Sequence, residues 1–307
     1  MEIIILFFVL IIGFAMLVKG ADIFVEGASG IAEKFNIPQL IIGLTIVAMG
    51  TSAPEAAVSI TSALKGSAGI TIGNVVGSNI LNTLVILGTT SVIVPLKVKK
   101  STQKIEIPFM ITISALLVIL GITGVISRLD GIILWAAFLL YFWYLYQSAK
   151  NKPQQQPPET IPAISKSIIW VILGLVGIIL GSNLSVNAAT EIARIFGMSE
   201  RFIGLTIVAL GTSLPEMFTS IMAARKGNAD IAIGNIVGSN IFNYLFVVGT
   251  SALIIPVPFD PKFLIDGIIS ALSALMLFFF VRDGKLGRKE GAVFLACYVG
   301  YFIYLLV

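Results

Sequence analysis

Long apolar runs separated by short polar breaks follow one another along the whole chain. Ten of these runs are long enough to cross a bilayer as helices, because ~20 apolar residues span its hydrocarbon core. The runs are continuous rather than alternating, which argues against a barrel. The pattern therefore predicts an all-α membrane protein with ten transmembrane helices, near 2–19, 39–64, 70–96, 105–126, 129–149, 165–183, 201–224, 230–256, 264–281 and 290–306.

Composition supports this prediction. Apolar residues make up 57% of the chain and charged residues 12%, against about 25% charged residues in a typical soluble domain. The first apolar run follows Glu2 rather than a basic segment, so we interpret it as a retained span and not as a signal peptide. The single cysteine, Cys297, excludes a disulfide framework. The absence of histidine removes the commonest proton carrier near neutral pH.

The chain divides into two similar halves. Residues 42–95 align without a gap with residues 203–256, and 33 of these 54 positions are identical. Residues 150–164 include the segment KNKPQQQPPETIP, which is rich in Pro and Gln and is typical of a flexible linker. We predict a first five-helix repeat over 1–149, a cytoplasmic linker over 150–164 and a second five-helix repeat over 165–307.

Five spans is an odd number, so the second half is expected to enter the membrane in the opposite sense. With the N-terminus outside, 15 of the 20 Lys and Arg residues fall on the cytoplasmic side. This bias follows the positive-inside rule and predicts a multi-pass protein of the cell membrane with both termini extracellular. Inverted repeats are the architecture of many secondary transporters.

Each half carries a proline and a carboxylate in the middle of an apolar run. The first half has GTSAPE, with Pro54 and Glu55, and the second has GTSLPE, with Pro215 and Glu216. Proline breaks the helical hydrogen-bond pattern, and carbonyl groups freed in hydrocarbon need another partner. A carboxylate at that depth costs at least ~2.5 kcal/mol and is a functional-site hypothesis by default. A metal cation would satisfy both requirements.

A second polar motif follows in each half, GNVVGSNILN and then GNIVGSNIFN. Its Asn and Ser residues recur every four positions, so they can share one helix face. Taken singly, such Ser, Thr and Gly residues are more often packing groups, and Asn74 and Asn235 could equally tie helices together. Together the two motifs offer only oxygen ligands, which suit hard cations such as Ca²⁺ and Na⁺. Two carboxylates balance the charge of one Ca²⁺.

These motifs resemble the α-repeats of the Ca²⁺/cation antiporter superfamily, and within it the prokaryotic branch of the sodium/calcium exchangers. The resemblance covers essentially the whole chain. It implies that Glu55 and Glu216 are the central Ca²⁺ ligands and that Asn82 and Asn243 line the central position. It further implies backbone carbonyl ligands from Thr51 and Thr212, and flanking Na⁺ sites formed by Ser52, Ser213, Ser78, Ser239 and the carbonyls of Ala48 and Ala209.

The resemblance also implies a mechanism. Na⁺ and Ca²⁺ would compete for overlapping oxygens, the exchange would be electrogenic, and spans one and six would slide past a rigid core. Glycines such as Gly13, Gly20, Gly174, Gly177 and Gly181 would let these two spans lie close to that core. Asn at both 82 and 243, where K⁺-dependent relatives carry an Asp in place of Asn243, favours K⁺ independence.

The function predicted is thus Na⁺/Ca²⁺ antiport by alternating access, without enzymatic chemistry and without a cofactor. The expected partners are the two transported ions and the lipid bilayer, with no nucleic acid and no obligate protein partner. The alternatives are a Ca²⁺/H⁺ or other cation exchanger on the same scaffold, a passive cation channel, since broken helices also build selectivity filters, and a membrane scaffold that transports nothing.

Overall fold

The computed structural model describes residues 2–150, 163–197 and 209–306, and almost all of these residues are helical. Residues 151–162, which make up most of the predicted linker, and the first part of the predicted seventh span lie outside the described residues. The helices are α1 (Glu2–Lys34), α2 (Gln39–Thr51), α3 (Ala53–Leu64), α4 (Gly69–Ile93), α5 (Thr102–Gly121), α6 (Arg128–Lys150), α7 (Ile164–Ile195), α8 (Ala209–Thr212), α9 (Leu214–Arg225), α10 (Ala229–Ile254), α11 (Pro261–Phe280) and α12 (Arg288–Leu306).

Among the described residues, seven helices are long and apolar enough to cross a membrane. The bent pair α2 and α3 forms an eighth candidate. The protein is therefore a multi-pass membrane protein built from helices. The count of ten spans and the division of the chain into two domains stay predictions.

Helices α1 and α7 are longer than the sequence pattern suggested. The predicted spans ended near residues 19 and 183, whereas the helices continue to Lys34 and Ile195. Those boundaries were wrong because a polar residue ends an apolar run without ending a helix. At 1.5 Å per residue, the 33 residues of α1 extend over about 50 Å, well beyond a hydrocarbon core of about 30 Å.

Helices α1 and α7 pack against each other along a line of glycines. A Cβ atom at Gly20 would lie 2.9 Å from the carbonyl oxygen of Gly174, and one at Gly181 would lie 2.7 Å from that of Gly13. The prediction that these glycines face the core was wrong, because their missing side chains make room for the partner helix of the pair. Small residues permit this close approach in membranes, where dispersion contacts replace the hydrophobic effect.

The helix that begins at Gln39 is broken in the middle. Segments α2 and α3 meet at Ser52 with a bend of 51°. Pro54 occupies the first turn of α3, where its missing N–H costs nothing. A π-helical turn over Gly43–Val47 loosens α2 further, and similar turns interrupt α4 at Leu81–Leu87 and α10 at Asn243–Val248. Such turns often occur at functional sites.

Two helices form the interior of the molecule. In the most apolar 18-residue stretch of α10, 94% of the residues are buried within the protein, and in the corresponding stretch of α4 72% are buried. The corresponding share in α1 is 17%. Because α4 and α10 carry the two asparagine-rich motifs, the most polar sequences of the apolar spans lie largely inside the protein.

Short antiparallel strands join parts of the chain that are far apart in sequence. Strand β1 (Leu96–Lys97) pairs with β4 (Lys285–Leu286), and β2 (Val125–Ile126) pairs with β3 (Val257–Pro258). Each pair takes one strand from the first half of the chain and one from the second. The ends of α4 and α10 are therefore fixed against loops of the opposite half.

The glycine contact between α1 and α7 predicts a stability effect. A Cβ atom at Gly174 would lie 2.6 Å from the backbone nitrogen of Phe24, so Gly174→Ala forces the two helices apart. We expect a loss of about 1–3 kcal/mol, the usual cost of overpacking, measured as a lower midpoint of thermal unfolding in detergent.

Gly300→Ala is the matched control. No described atom lies within 4 Å of a Cβ atom at Gly300 in α12, so this change should be neutral or slightly stabilising. Equal midpoints for the two variants would contradict the close packing of α1 on α7.

Candidate functional site

Glu55 and Glu216 occupy equivalent places in the two halves. Each lies in the first turn of the helix that follows a break, Glu55 in α3 and Glu216 in α9. Each side chain is 1% exposed. The positive end of a helix dipole favours a carboxylate in the first turn. The local sequence Ser-x-Pro-Glu therefore places a charge at a helix N-terminus, inside the protein.

The two carboxylates are close enough to repel each other. The Ser52 hydroxyl donates a hydrogen bond of 2.8 Å to Oε1 of Glu216, which links the two broken helices. Oε2 of Glu216 and both carboxylate oxygens of Glu55 are buried without a hydrogen-bond partner. An unpaired buried charge costs several kcal/mol, so this pair requires a positive ligand or protons.

Three further buried oxygens without a hydrogen-bond partner belong to residues of the predicted site: Oδ1 of Asn82, Oδ1 of Asn243 and Oγ of Ser213. The two amide groups are held by their nitrogen atoms. Nδ2 of Asn82 donates to Oδ1 of Asn240, and Nδ2 of Asn243 donates to Oδ1 of Asn79, each at 3.0 Å. The amide oxygens of Asn82 and Asn243 are thereby left as acceptors, which can coordinate a cation.

Most of the remaining predicted ligands lie either at the Ala48 carbonyl or near the Glu55 carboxylate. The Ala48 carbonyl oxygen accepts a hydrogen bond from the Ser239 hydroxyl at 3.3 Å and a second from the Thr51 hydroxyl at 3.3 Å. The hydroxyls of Ser78 and Ser213 lie near the Glu55 carboxylate. Hydroxyl groups from both halves thus lie near the two glutamates. Ion ligation by these residues stays a prediction.

Two predicted residues are less well placed by the structure. Thr212 ends α8 and lines a cavity beside the site. Ala209 begins the same short helix, and its role as a carbonyl ligand stays a prediction. The Thr51 hydroxyl donates to Oδ1 of Asn235 at 3.0 Å, a contact that the sequence analysis did not anticipate.

Asn74 and Asn235 tie neighbouring helices together, the second of the two roles considered for them. Nδ2 of Asn74 donates to the Ser59 hydroxyl at 2.9 Å and to the Glu55 carbonyl at 3.1 Å. Nδ2 of Asn235 makes the equivalent bonds to Ser220, at 2.9 Å, and to the Glu216 carbonyl, at 3.3 Å. Each glutamate-bearing helix is thereby fixed to the asparagine-rich helix of its own half.

The sequence analysis missed Asn79 and Asn240. Besides fixing the two site amides, Asn79 donates from Nδ2 to the Asn240 carbonyl at 3.1 Å, and Asn240 donates to the Thr83 hydroxyl at 3.0 Å. These bonds join α4 to α10 across the middle of the protein. The available signal was the final Asn of GNVVGSN and GNIVGSN, which occurs in register in both halves.

Within the described ranges, no cluster of three or more Asp, Glu, His or Cys side chains could hold a metal ion. The charge of the site comes from Glu55 and Glu216, and the oxygens around them are neutral. Such a set suits a hard cation held transiently, with a charge of at most two balanced by the carboxylates.

A family model described as "Sodium/calcium exchanger protein" matches residues 5–147 and 166–307. The chain belongs to the sodium/calcium exchanger family. The two matched segments leave out only residues 1–4 and 148–165, so the family pattern covers both halves separately.

Two relatives and one solved structure match over most of the chain. The sodium/calcium exchanger MaX1 of Methanosarcina acetivorans is 30% identical, with 97% of this chain and 98% of that one covered. The inner membrane protein YrbG of Escherichia coli is 37% identical, with 82% and 81% covered. A structure of the sodium-calcium exchanger NCX_Mj, soaked with Na⁺ and Sr²⁺, superposes with a TM-score of 0.87 at 32% identity, covering 98% of each chain.

The asymmetry between Ser52 and Ser213 gives a testable prediction. Ser52→Ala removes the hydroxyl that donates to Oε1 of Glu216 and leaves a buried carboxylate oxygen unsatisfied. We expect it to lower stability by about 1–3 kcal/mol in buffer containing a bulky organic cation instead of metal ions. Thermal unfolding in detergent measures this loss.

Ser213→Ala provides the internal control. The Ser213 hydroxyl has no hydrogen-bond partner, so its removal should cost much less under the same metal-free conditions. An equal loss in both variants would show that the Ser52–Glu216 bond does not distinguish the two halves.

Proposed function

We propose that this protein is a secondary active antiporter that exchanges Na⁺ for Ca²⁺ across the membrane by alternating access. The observation that carries the proposal is the set of buried oxygens without hydrogen bonds on Glu55, Glu216, Asn82, Asn243 and Ser213. Buried polar atoms in proteins are nearly always paired, so a cluster of unpaired acceptors indicates a missing positive partner. Family membership supports the same conclusion.

The charges of the site suit the two proposed ions. One Ca²⁺ bound between Glu55 and Glu216 neutralises both carboxylates. Na⁺ ions bound at the flanking oxygens of Ser52, Ser213, Ser78, Ser239 and the carbonyls of Ala48 and Ala209 neutralise them equally well. Because both loads use the same two carboxylates, they exclude each other, and this competition couples their transport.

The same carboxylates prevent leak. An empty site holds two negative charges in a low-dielectric interior, and closing the site off from water while these charges are uncompensated is unfavourable. A loaded site is neutral or carries a small positive charge, so it can change its access from one face to the other. Each transition therefore requires an ion, and the net result is exchange.

We further propose ten spans in two inverted halves, with both termini outside. The excess of Lys and Arg on the predicted cytoplasmic side supports this orientation. Equivalent hydrogen bonds at Asn74 and Asn235 support the repeat. So does the reciprocal pairing of β1 with β4 and of β3 with β2. In this arrangement the glycine-lined pair α1 and α7 slides past the core.

Two finer features complete the proposal. More than two Na⁺ exchange for one Ca²⁺, so transport moves net charge and responds to membrane potential. Asn at both 82 and 243 leaves the site with one carboxylate fewer than an Asp-containing site, so K⁺ is not transported. Na⁺-driven ⁴⁵Ca²⁺ uptake into vesicles, with and without K⁺ and at imposed potentials, tests both features.

Ca²⁺/H⁺ exchange is the second candidate, because Glu55 and Glu216 could also exchange protons. Uptake of ⁴⁵Ca²⁺ that follows a pH gradient and ignores Na⁺ would establish it. Flux that needs no counter-ion and proceeds at channel-like rates would instead favour a passive channel.

The central prediction concerns the two glutamates. Glu55→Gln and Glu216→Gln each remove one of the two charges that balance Ca²⁺, so both should abolish Na⁺-dependent ⁴⁵Ca²⁺ uptake. Ca²⁺ at 100 times its dissociation constant should stabilise the wild type by about 2.7 kcal/mol and should not stabilise either variant.

Glu33→Gln is the control for this experiment, since Glu33 is an exposed carboxylate near the end of α1. It should retain both uptake and stabilisation by Ca²⁺. Wild-type uptake in either Glu55→Gln or Glu216→Gln would remove that residue from the ion site.

Asn243→Asp tests the proposed independence from K⁺. The added carboxylate places a third negative charge beside the central position, so we expect altered cation preference or a new pH dependence of ⁴⁵Ca²⁺ uptake. An unchanged ion and pH profile would show that position 243 does not touch the transported ions.

A further inference from the structure

A cavity of about 420 Å³ lies beside the ion site, between α4, α11 and α12. Its wall includes Ser78 and Thr212, two residues of the predicted site. Gly73 and Gly77 of α4 also line it, and no described atom lies within 4 Å of a Cβ atom at Gly77. The cavity therefore reaches the end of the ion site at which Ser78 approaches Glu55.

Asp266 is the one acidic residue in the described lining of this cavity. It lies in the second turn of α11, within a candidate membrane span, and is partly buried. The Tyr301 hydroxyl of α12 donates a hydrogen bond of 3.0 Å to its Oδ1. An ionisable group within a membrane span is costly and normally serves a function, and none of the ligand sets considered above uses Asp266.

The first half of the chain contains a counterpart of this arrangement. Gly124 and Gly284 are turn glycines with positive φ that precede α6 and α12, which sets the offset between these parts of the halves at 160 residues. Glu106 of α5 then corresponds to Asp266, and the Tyr144 hydroxyl donates to Oε1 of Glu106. The carboxylate thus occurs at the same place in both halves and accepts from a tyrosine of the helix that follows, although Tyr144 corresponds to Tyr304 and not to Tyr301.

The two cavities differ in size and in the residues that line them. The cavity at Glu106 is smaller, about 130 Å³, and its described lining is made of Glu106 with apolar and aromatic residues, without any predicted ion ligand. Only the Asp266 cavity, among the described residues, joins its carboxylate to Ser78 and Thr212. This connection, rather than the charge alone, gives Asp266 a route to the transported ions.

We propose that Asp266 is a cation-recruiting residue, which attracts Na⁺ into this cavity and raises its concentration at the Ser78–Thr212 end of the site. The proposal rests on the proposed antiport and adds a specificity-determining residue to it. A single carboxylate with hydroxyl and tyrosine oxygens balances one positive charge, which favours a monovalent ion over Ca²⁺. Charged clefts with low-dielectric walls concentrate counter-ions about tenfold or more.

Asp266→Asn is the decisive variant, because the amide oxygen can still accept the Tyr301 hydrogen bond while the charge is lost. We expect the Na⁺ concentration for half-maximal ⁴⁵Ca²⁺ exchange to rise about tenfold, with little change in maximal rate. Asp266→Glu, which restores the charge, should recover most of the wild-type Na⁺ affinity. A structural role for the Tyr301 contact alone predicts wild-type Na⁺ affinity in Asp266→Asn.

Ionic strength gives a second measurement that does not depend on packing. Screening by N-methylglucamine chloride should weaken Na⁺ affinity in the wild type and have little effect in Asp266→Asn, whose recruiting charge is absent. Glu106→Gln is the matched control. In this variant, Na⁺ affinity at the membrane face on which the Asp266 cavity lies should remain at the wild-type value.

The outcomes separate this proposal from the function on which it rests. Wild-type protein without Na⁺-dependent ⁴⁵Ca²⁺ flux would overturn the antiport itself. Wild-type exchange together with unchanged Na⁺ affinity and unchanged salt response in Asp266→Asn would overturn the role of Asp266 alone. If Asp266→Asn folds poorly, ²²Na⁺ binding to purified wild type and Asp266→Glu can be measured at varied ionic strength. This measurement still tests whether the charge governs Na⁺ affinity. Binding that is insensitive to salt in both proteins would overturn the proposal.

Discussion

The mutual repulsion of two buried carboxylates is the constraint on which the rest of the structure depends. Glu55 and Glu216 are both buried inside the protein, and three of their four carboxylate oxygens have no hydrogen-bond partner. Such a pair is stable only while a positive charge compensates it. The surrounding helices must therefore hold the two groups together against their repulsion and leave an approach for ions.

The polar network of α4 and α10 performs the first task. Asn79 and Asn240 join these two buried helices directly, and Asn74 and Asn235 fix the glutamate-bearing helices to them. Buried amide groups that are fully paired make a network rigid, and here the same bonds leave the oxygens of Asn82 and Asn243 free as acceptors. The same hydrogen bonds thus hold the helices together and keep these two amide oxygens available as acceptors.

The contacts of the outer helices α1 and α7 with this interior differ between the two halves. Helices α1 and α7 contact each other through glycines. Lys226, at the end of α9, ties α1 to the core through ion pairs with Asp22 at 2.8 Å and with Glu26 at 3.5 Å. A residue offset of 161 places Asn183 on α7 where Asp22 stands on α1, so a neutral amide replaces the acid in the other half. The two halves are similar in the site and unlike at this outer contact.

Much of this molecule could be predicted from the sequence. Apolar runs of membrane length predicted the helices. The Pro–Glu pairs, repeated in register, predicted the break near Ser52 and the two central carboxylates. These features follow from local chemistry and from the cost of polar groups in hydrocarbon. Tertiary structure alone decided that α1 and α7 continue as helices beyond their apolar runs and that their glycines face each other. It also decided that Asn79 and Asn240 link the halves and that the Asp266 cavity reaches Ser78. These features depend on which helix surfaces contact each other. The sequence determines how side chains are spaced along one helix, but it does not show which other helix packs against them.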